Sequence, residues 1–549
     1  MIQIQEIDGL LLREMVIAGA SLLEKNRDTV DALNVFPVPD GDTGTNMSLT
    51  MASATKEVNT REFSRADEAA AALAKGALRG ARGNSGVITS QLYRGFSKAL
   101  NGIEKINPVQ FAQALKKGAE TAYKAVMKPK EGTILTVARV IAEEAEKQAM
   151  REPDSFDGLF NVILSAGEDI LARTKEMLPA LKQADVVDAG GKGLLLIYTG
   201  YAAVLRGETE QLLPAVEEEQ PGVFSDDHAR IRELKFGYHT AFTVCELRDD
   251  VRSEDIDMLK RQMNRIGDSV DVDEKDGAVR VHVHTDDPGK ALQYALDLGE
   301  LTDLEIVNIR MQRKAEERAH AEEEKKREPP KKYGMVSVSL GEGFSEILRE
   351  LGVDVIVDGG QTMNPSIEDI SNAVEKVNAE NIFVFPNNGN IILAAQQAAK
   401  LCKDKHVTVL PTKNVAMGIA GAIAFDPDAD TESNTEAMTA AAERVRTGTV
   451  TFAVRDSEFG ELHIREGDII GLENGQVKFR SDSIPGIAME LMQSIVTEED
   501  SVITVYYGHD TKEEDAEKLA GELQTRFPQC EVQVQAGGQP LYYYLLSVE

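Results

Sequence analysis

Asp40 and Asp42 stand on either side of one glycine in the segment Asn34-Val-Phe-Pro-Val-Pro-Asp40-Gly41-Asp42-Thr43-Gly44-Thr45-Asn46-Met47. Hard cations such as Mg²⁺ take oxygen ligands, commonly one or two carboxylates together with substrate phosphates. Gly41 and Gly44 let backbone N–H groups come close to an anion, and Pro37 and Pro39 stiffen the approach to the turn. The segment reads as a metal–nucleotide loop. Taken alone it reads equally as a surface Asx turn, because Asp and Gly dominate turns in general.

Three further segments carry the same chemistry. Arg82-Gly83-Asn84-Ser85-Gly86 follows an alanine-rich helical run, Glu131-Gly132-Thr133-Ile134-Leu135-Thr136 sets hydroxyls at a helix start, and Asp188-Ala-Gly190-Gly191-Lys192-Gly193 precedes an apolar helix. Each alone is ordinary helix punctuation. Together they suggest several helix N-termini aimed at one anionic ligand. The P-loop pattern G-x-x-x-x-G-K-S/T is absent, as are the His-Arg-Asp and Asp-Phe-Gly signatures of protein kinases.

Asp40-Gly-Asp42-Thr-Gly-Thr-Asn46, Gly83-Asn-Ser-Gly86, Gly132-Thr133 and Asp188-Ala-Gly-Gly resemble, in order and spacing over residues 1–205, the nucleotide-binding component of dihydroxyacetone kinases. The whole chain resembles the ATP-binding component of bacterial fatty acid kinases, a family that joins such a domain to a metal-binding middle domain and a carrier-binding C-terminal domain. The resemblance implies an all-α barrel holding ATP and two Mg²⁺ ions. Asp40 and Asp42 would be the catalytic carboxylates and, with Asn34, the Mg²⁺ ligands. Thr43, Gly44, Thr45, Asn46, Ser85, Gly86 and Thr133 would face phosphate oxygens or metal. The loop carrying Asp188, Gly190 and Gly191 would close over the nucleotide, with Lys192 and Arg173 as clamps. One departure stands out: where the dihydroxyacetone kinases have a third aspartate upstream of the pair, the nearest residue here is Asn34, one position further off. The activity implied is ATP-dependent phosphorylation of a fatty acid carboxylate held by a separate DegV-like carrier protein, giving acyl phosphate. A carboxylate is already nucleophilic, so positioning and charge neutralisation suffice. The alternatives are a dihydroxyacetone-type sugar kinase and a non-catalytic nucleotide- and lipid-sensing scaffold.

Composition agrees with this class. The 549 residues carry a formal charge of −32, which argues against a non-specific nucleic-acid binder. Cys245, Cys402 and Cys530 are too few and scattered for a disulfide framework, pointing to a reducing cytoplasm. No signal peptide is expected at the N-terminus and no apolar run has transmembrane length. A lipid substrate would therefore be brought by the carrier. A homodimer is compatible with the sequence.

Periodicity divides the chain into a helical nucleotide-binding domain (1–207), a middle metal-binding domain (232–312), a charged linker (313–332) and an α/β C-terminal domain (333–549). The helical stripe Phe111, Leu115, Ala119, Ala122 and Val126 typifies the first. In the middle domain, residues 238–247 read as a strand, 253–266 as a helix, 269–272 and 278–285 as a hairpin, 288–298 as a helix and 304–310 as a strand. That order, βαββαβ, is a ferredoxin-like unit. Short β-branched runs at 334–340, 354–357, 381–385 and 406–410, each followed by a helical segment, read as a doubly wound sheet. Hairpin-like strands follow residue 449.

On the middle-domain strand, His282 and His284 share a face, since residues i and i+2 do, and His239 lies on a strand that could pair nearby. Three imidazoles make a reasonable Zn²⁺ site. The plainer reading is a pair of edge-strand histidines. The resemblance favours zinc: the related kinases bind it with a matching H-V-H strand and a cysteine where this chain has His239. A fourth ligand could be Cys245, Asp286 or water. In the C-terminal domain, Gly359-Gly-Gln-Thr-Met-Asn364-Pro-Ser366 and Phe385-Pro-Asn-Asn-Gly-Asn390 are polar loops at strand ends. They resemble segments of DegV-type proteins and read as a surface for the carrier. Residues 541–547 cluster tyrosines that read either as an interface or as a core strand.

Overall fold

The computed structural model describes residues 4–35, 41–208, 236–248, 250–275, 277–310, 329–360, 363–453, 457–459 and 462–549. Asp40, Asp276 and most of the expected linker 313–332 lie outside the described residues. The chain forms two compact units: one joins the N-terminal helices to the C-terminal sheets, and the other is the middle segment.

The N-terminal part is helical among its described residues: α1 (Gly9–Lys25), α2 (Arg27–Ala32), α3 (Thr43–Val58), α4 (Ala66–Gly80), α5 (Gly83–Ala99), α6 (Pro108–Ala125), α7 (Ile134–Arg151), α8 (Phe156–Met177), α9 (Pro179–Gln183) and α10 (Ala189–Arg206). Side-chain caps fix several starts, for example Asn107 and Gln110 in a capping box on α6 and Ser155 on α8. Helix α3 packs on α4, α4 on α5, and so on through α8; α8 packs on α10, α10 on α1, and α1 back on α3. The closing contact is glycine on glycine: a Cβ on Gly200 would lie 2.6 Å from the Gly19 Cα. Inside the ring, Phe111 packs edge-on against Phe96 with centroids 5.3 Å apart and lies 5.4 Å from Phe160. The predicted stripe is in place, with Phe111, Leu115, Ala119 and Ala122 buried.

Helix α10 begins at Ala189, so the residues expected to form a closing loop are its first turn. The reason lies in Asp188, whose buried carboxylate accepts the Gly191 N–H at 2.7 Å and also an N–H of Ile134 at the start of α7. Its own N–H donates to the Thr174 hydroxyl of α8 at 3.0 Å. Gly190 and Gly191 are there for close packing: a Cβ on Gly191 would lie 2.8 Å from Val137.

The middle unit contains β1 (Tyr238–Cys245), α11 (Ser253–Ile266), β2 (Gly267–Lys275), β3 (Ala278–Thr285), α12 (Pro288–Leu296) and β4 (Glu300–Asn308). Its sheet runs β2-β3-β1-β4, antiparallel throughout. Val279, Val281 and Val283 alternate inward beside Phe242 and Val244, sharing a core with Leu259 and Met263 of α11 and Ala291 and Ala295 of α12. One face of the sheet is thus covered by helices.

The C-terminal part holds two sheets. In the first, β5 (Lys331–Ser339), β6 (Val355–Asp358), β7 (Ala379–Phe385) and β8 (His406–Val409) are parallel in the order β6-β5-β7-β8. Alternate residues feed cores on opposite faces: Val336, Val338, Ile382 and Val384 on one, Met335, Phe383 and Phe385 on the other. Strand β5 connects outward to β6 and β7 connects outward to β8 on the other side, so the crevice at the strands' C-terminal ends lies between β5 and β7. The second sheet begins at β9 (Arg446–Phe452). After a small hairpin, β10 (Ser457–Phe459) with β11 (Leu462–Ile464), it adds β12 (Ile469–Glu473), β13 (Gln476–Ser481), β14 (Val502–Tyr507), β15 (Glu531–Ala536) and β16 (Tyr542–Val548) in the order β13-β12-β9-β16-β14-β15. Strand β16 is central and Tyr544 is buried, so the tyrosine cluster is a core strand rather than an exposed interface.

Burial pushes the Asp188 carboxyl up to about 6 from 3.8, against the pull of its two N–H donors. A carboxyl raised in the folded state contributes stability that is present below the unfolded value and lost as pH rises through the folded one. The unfolding free energy of the native protein relative to Asp188→Asn should therefore fall by roughly 3 kcal/mol between about pH 4 and pH 7. Urea unfolding followed by circular dichroism measures this, and a pH-independent difference between the two proteins contradicts it.

Candidate active site and metal centre

Asp42 immediately precedes α3, and its carbonyl accepts the Asn46 N–H at 2.8 Å. Asn34, Asp42, Thr43 and Asn46 are all buried polar groups, with Asp42 9 % and Asn46 3 % exposed. Asp31, which no sequence motif marks, anchors the loop. Its carboxylate accepts the Thr45 hydroxyl at 2.7 Å and the Thr45 N–H at 3.0 Å. The Thr45 hydroxyl is thereby committed to its own protein. Gly44 is required for packing, since a Cβ there would lie 2.3 Å from the Arg27 carbonyl oxygen.

The other three segments come to the same end of the helical ring. Gly83 has φ +57° at the start of α5, where a Cβ would lie 2.5 Å from Asn46 Nδ2; Gly86 fits under the Thr50 hydroxyl. Gly193 of α10 meets Met47 of α3, a Cβ there coming within 2.8 Å of its sulfur. Asp188 ties the starts of α7 and α10 together, as described above. The Thr133 hydroxyl donates to the Lys130 carbonyl at 2.9 Å. Ser85 is half-buried in the first turn of α5 and its carbonyl accepts the Thr89 hydroxyl at 2.8 Å. Lys192 is half-buried in the first turn of α10, while Arg173 is exposed on α8. The N-termini of α3, α5, α7 and α10 thus gather in one place. Their unsatisfied N–H groups and dipoles favour an anion there.

The polar loops of the C-terminal sheet lie against this same place. Asn364 donates through Nδ2 to Asp42 Oδ2 at 2.6 Å and to Asn46 Oδ1 at 3.3 Å. Arg82 donates to the Asn364 carbonyl at 2.7 Å and pairs with Asp369 at 3.3 Å. Asn84 donates to Asn390 Oδ1 at 2.8 Å, and Arg82 and Ser366 form an antiparallel bridge. Asn364 and Asn390 belong to motifs visible in the sequence, yet nothing in the sequence pairs them with residues some 300 positions earlier.

The second cluster lies on the middle sheet. His239 is in register with His284 across β1 and β3. Because valines of β3 point to the helices, His282 and His284 point to the opposite face. The three rings have centroids 4.6, 5.6 and 5.1 Å apart, and one nitrogen from each lies within 4.8 Å of the others. Three neutral imidazoles at this spacing could hold Zn²⁺. Neither Cys245 nor Asp286, two of the three alternatives for a fourth ligand, belongs to this three-histidine group. Cys245 shares the strand face of His239 but lies six residues along it, roughly 20 Å away, and its thiol faces the Glu300 carbonyl. Asp286 accepts the Gly237 N–H at 2.8 Å and pairs with Arg310 at 3.0 Å. The Asp268 carboxylate lies 3.9 Å from His284 Nδ1 and outside the three-histidine group.

Three family models match: the DAK2 domain over residues 37–203, the middle domain of FakA-like fatty acid kinase proteins over 235–316 and the C-terminal domain of the same FakA-like proteins over 334–549. The chain is 42 % identical to protein YloV of Bacillus subtilis (strain 168) over 558 aligned residues, covering all of both chains. Among solved structures, it is similar to the DegV family protein Cg2579 from Corynebacterium glutamicum (14 % identity, TM-score 0.33, covering 40 % of this chain and 97 % of that one). It is also similar to the dihydroxyacetone kinase of C. freundii in its native form (11 % identity, TM-score 0.30, covering 40 % and 49 %). Likeness at these scores carries no argument about function.

Zinc on the histidine triad predicts about one metal ion per chain by elemental analysis. His282→Ala with His284→Ala should abolish it, whereas Cys245→Ser should leave it unchanged. Zinc retained without the two histidines, or lost on changing Cys245, contradicts the triad.

Proposed function

The chain belongs to the FakA-like family of fatty acid kinase proteins, and from that premise we propose that it is the ATP-binding component of a fatty acid kinase. The observation that carries this reading is the meeting of four helix N-termini beside the buried side chains of Asp42 and Asn46. The helical ring is read as an ATP-binding barrel, and the antiparallel β2-β3-β1-β4 unit as a ferredoxin-like domain. A nucleotide phosphate chain suits the helix starts because each offers N–H donors in a glycine-lined turn. Asp42, with Asp40 and Asn34 of the same sequence segment, would hold Mg²⁺, which neutralises phosphate charge when bound. The seating of a hydrogen-bond donor, Asn364 Nδ2, on Asp42 Oδ2 fits a carboxylate that attracts positive charge.

No side chain at this end of the ring is needed as a general base if the acceptor is a carboxylate. The protein's share of catalysis is then to align acceptor and γ-phosphate and to exclude water. The fatty acid is presented by a separate DegV-like protein, for which the polar strand-end loops of the C-terminal sheet are the candidate surface. Among the described residues no helix is long and apolar enough to cross a membrane, which fits delivery of the lipid by a carrier.

The test follows labelled γ-phosphate. Chain, ATP and Mg²⁺ with a fatty-acid-loaded DegV-like carrier should give hydroxylamine-trapped acyl phosphate. Omitting the carrier should lower the rate by more than tenfold. Label passing instead to dihydroxyacetone would establish the sugar kinase, and no carrier-dependent transfer at all would leave a scaffold.

A further inference from the structure

We propose that the C-terminal sheet is a cis-acting plug on the nucleotide site, and that binding of a Mg²⁺–nucleoside triphosphate expels it. This rests on the reading of the helical ring as the ATP site. Asn364 is the tip of the plug. Its amide Nδ2 bridges Asp42 Oδ2 at 2.6 Å and Asn46 Oδ1 at 3.3 Å, the two side-chain oxygens that face the predicted metal and phosphates. The amide occupies one acceptor position on Asp42 Oδ2 and fills space beside the carboxylate that a metal–nucleotide would need. The amide is the competitor a charged site selects for: a donor with partial positive charge and no net charge to bury. Asn364 is 2 % exposed, and its Oδ1 is buried without a hydrogen-bond partner. A buried acceptor left in this state costs free energy that is recovered when the loop leaves.

The polar part of the rest of the contact is Arg82 to the Asn364 carbonyl and to Asp369, Arg79 to Glu368 at 3.8 Å, Asn84 to Asn390, and Ile367 N–H to the Ala81 carbonyl at 3.1 Å. Arg79 and Glu368 are exposed, and exposed ion pairs contribute little. A small apolar contact joins Ala81 and Val87 to the C-terminal core. The loops after β5, β6 and β7 surround the crevice at the sheet's switch point, and that crevice opens toward Gly83 and Asn84. In this closed form the chain's own sheet would stand in the path of an acceptor coming to the helix starts. Metal–nucleotide binding at Asp42 would release Asn364, swing the sheet edge away and open the mouth to the loaded carrier. The order of events would then be nucleotide first, carrier second.

The test locks the clasp in the full-length protein. Arg82 and Ser366 are antiparallel bridge partners, a separation at which a disulfide can form. Arg82→Cys with Ser366→Cys is measured oxidised and reduced by calorimetry against Mg²⁺ with β,γ-imido-ATP, beside each single variant. Oxidation should weaken binding at least tenfold, and reduction should restore it. Asn364→Ala, with the clasp loosened and Asp42 uncovered, should bind several-fold tighter than the native chain. Equal affinity of the oxidised and reduced forms, or weaker binding by Asn364→Ala in a protein with native circular dichroism, overturns the plug. Absence of binding by the native chain and every variant would instead remove the ATP-site reading itself, and the plug with it.

Discussion

A helix start carries N–H groups with no partner inside the helix, and this chain brings four such starts together. That arrangement is unfavourable unless something negative sits among them. Inside the protein, Asp188 supplies part of it: one buried carboxylate accepts from the first turn of α10 and from Ile134 at the start of α7. Asp31 does the same for Thr45 in α3. The glycines at 83, 86, 191 and 193 let the helices approach closely enough for these bonds to form. The buried side chains of Asp42 and Asn46 lie at this same end, joined through Asn364. The fold of the helical ring and its chemistry are therefore one problem in satisfying polar groups.

The same reasoning explains what could be read from residue order. Short-period patterns survive without any knowledge of the fold. The helix over Ser253–Ile266 and the strand Ala278–Thr285 have the bounds that periodicity predicts, and His282 and His284 share a face because strands alternate. The Asn474-Gly475 turn between β12 and β13, with φ +48° and +82°, follows from those two residue types. Patterns that depend on distance along an element are weaker. Cys245 satisfies the face rule for a zinc ligand and fails on length, because a strand keeps its residues apart. The glycines after Asp188 look like a phosphate loop, yet they are a helix start whose small residues serve packing.

Contacts between distant segments were not legible. Asn364 reaches Asp42 across 322 positions, and only the folded chain brings the polar loops of the C-terminal sheet to the glycine turn at Gly83. Asp31 escapes notice for a related reason. Its partner Thr45 is 14 residues away, and an aspartate on a short helix carries no motif. The tyrosines of β16 could have been surface or core until the strand order placed them between β9 and β14.

The proposed kinase chemistry rests above all on the proposal that Asp42 is the ligand that ties a metal–nucleotide to the gathered helix starts. Calorimetry of the native chain and of Asp42→Asn with Mg²⁺–ADP measures that dependence directly, with circular dichroism to verify that both are folded. The expected result is saturable, Mg²⁺-dependent binding by the native chain and a loss of at least a hundredfold in affinity in the variant. Equal affinity in the two proteins would contradict it.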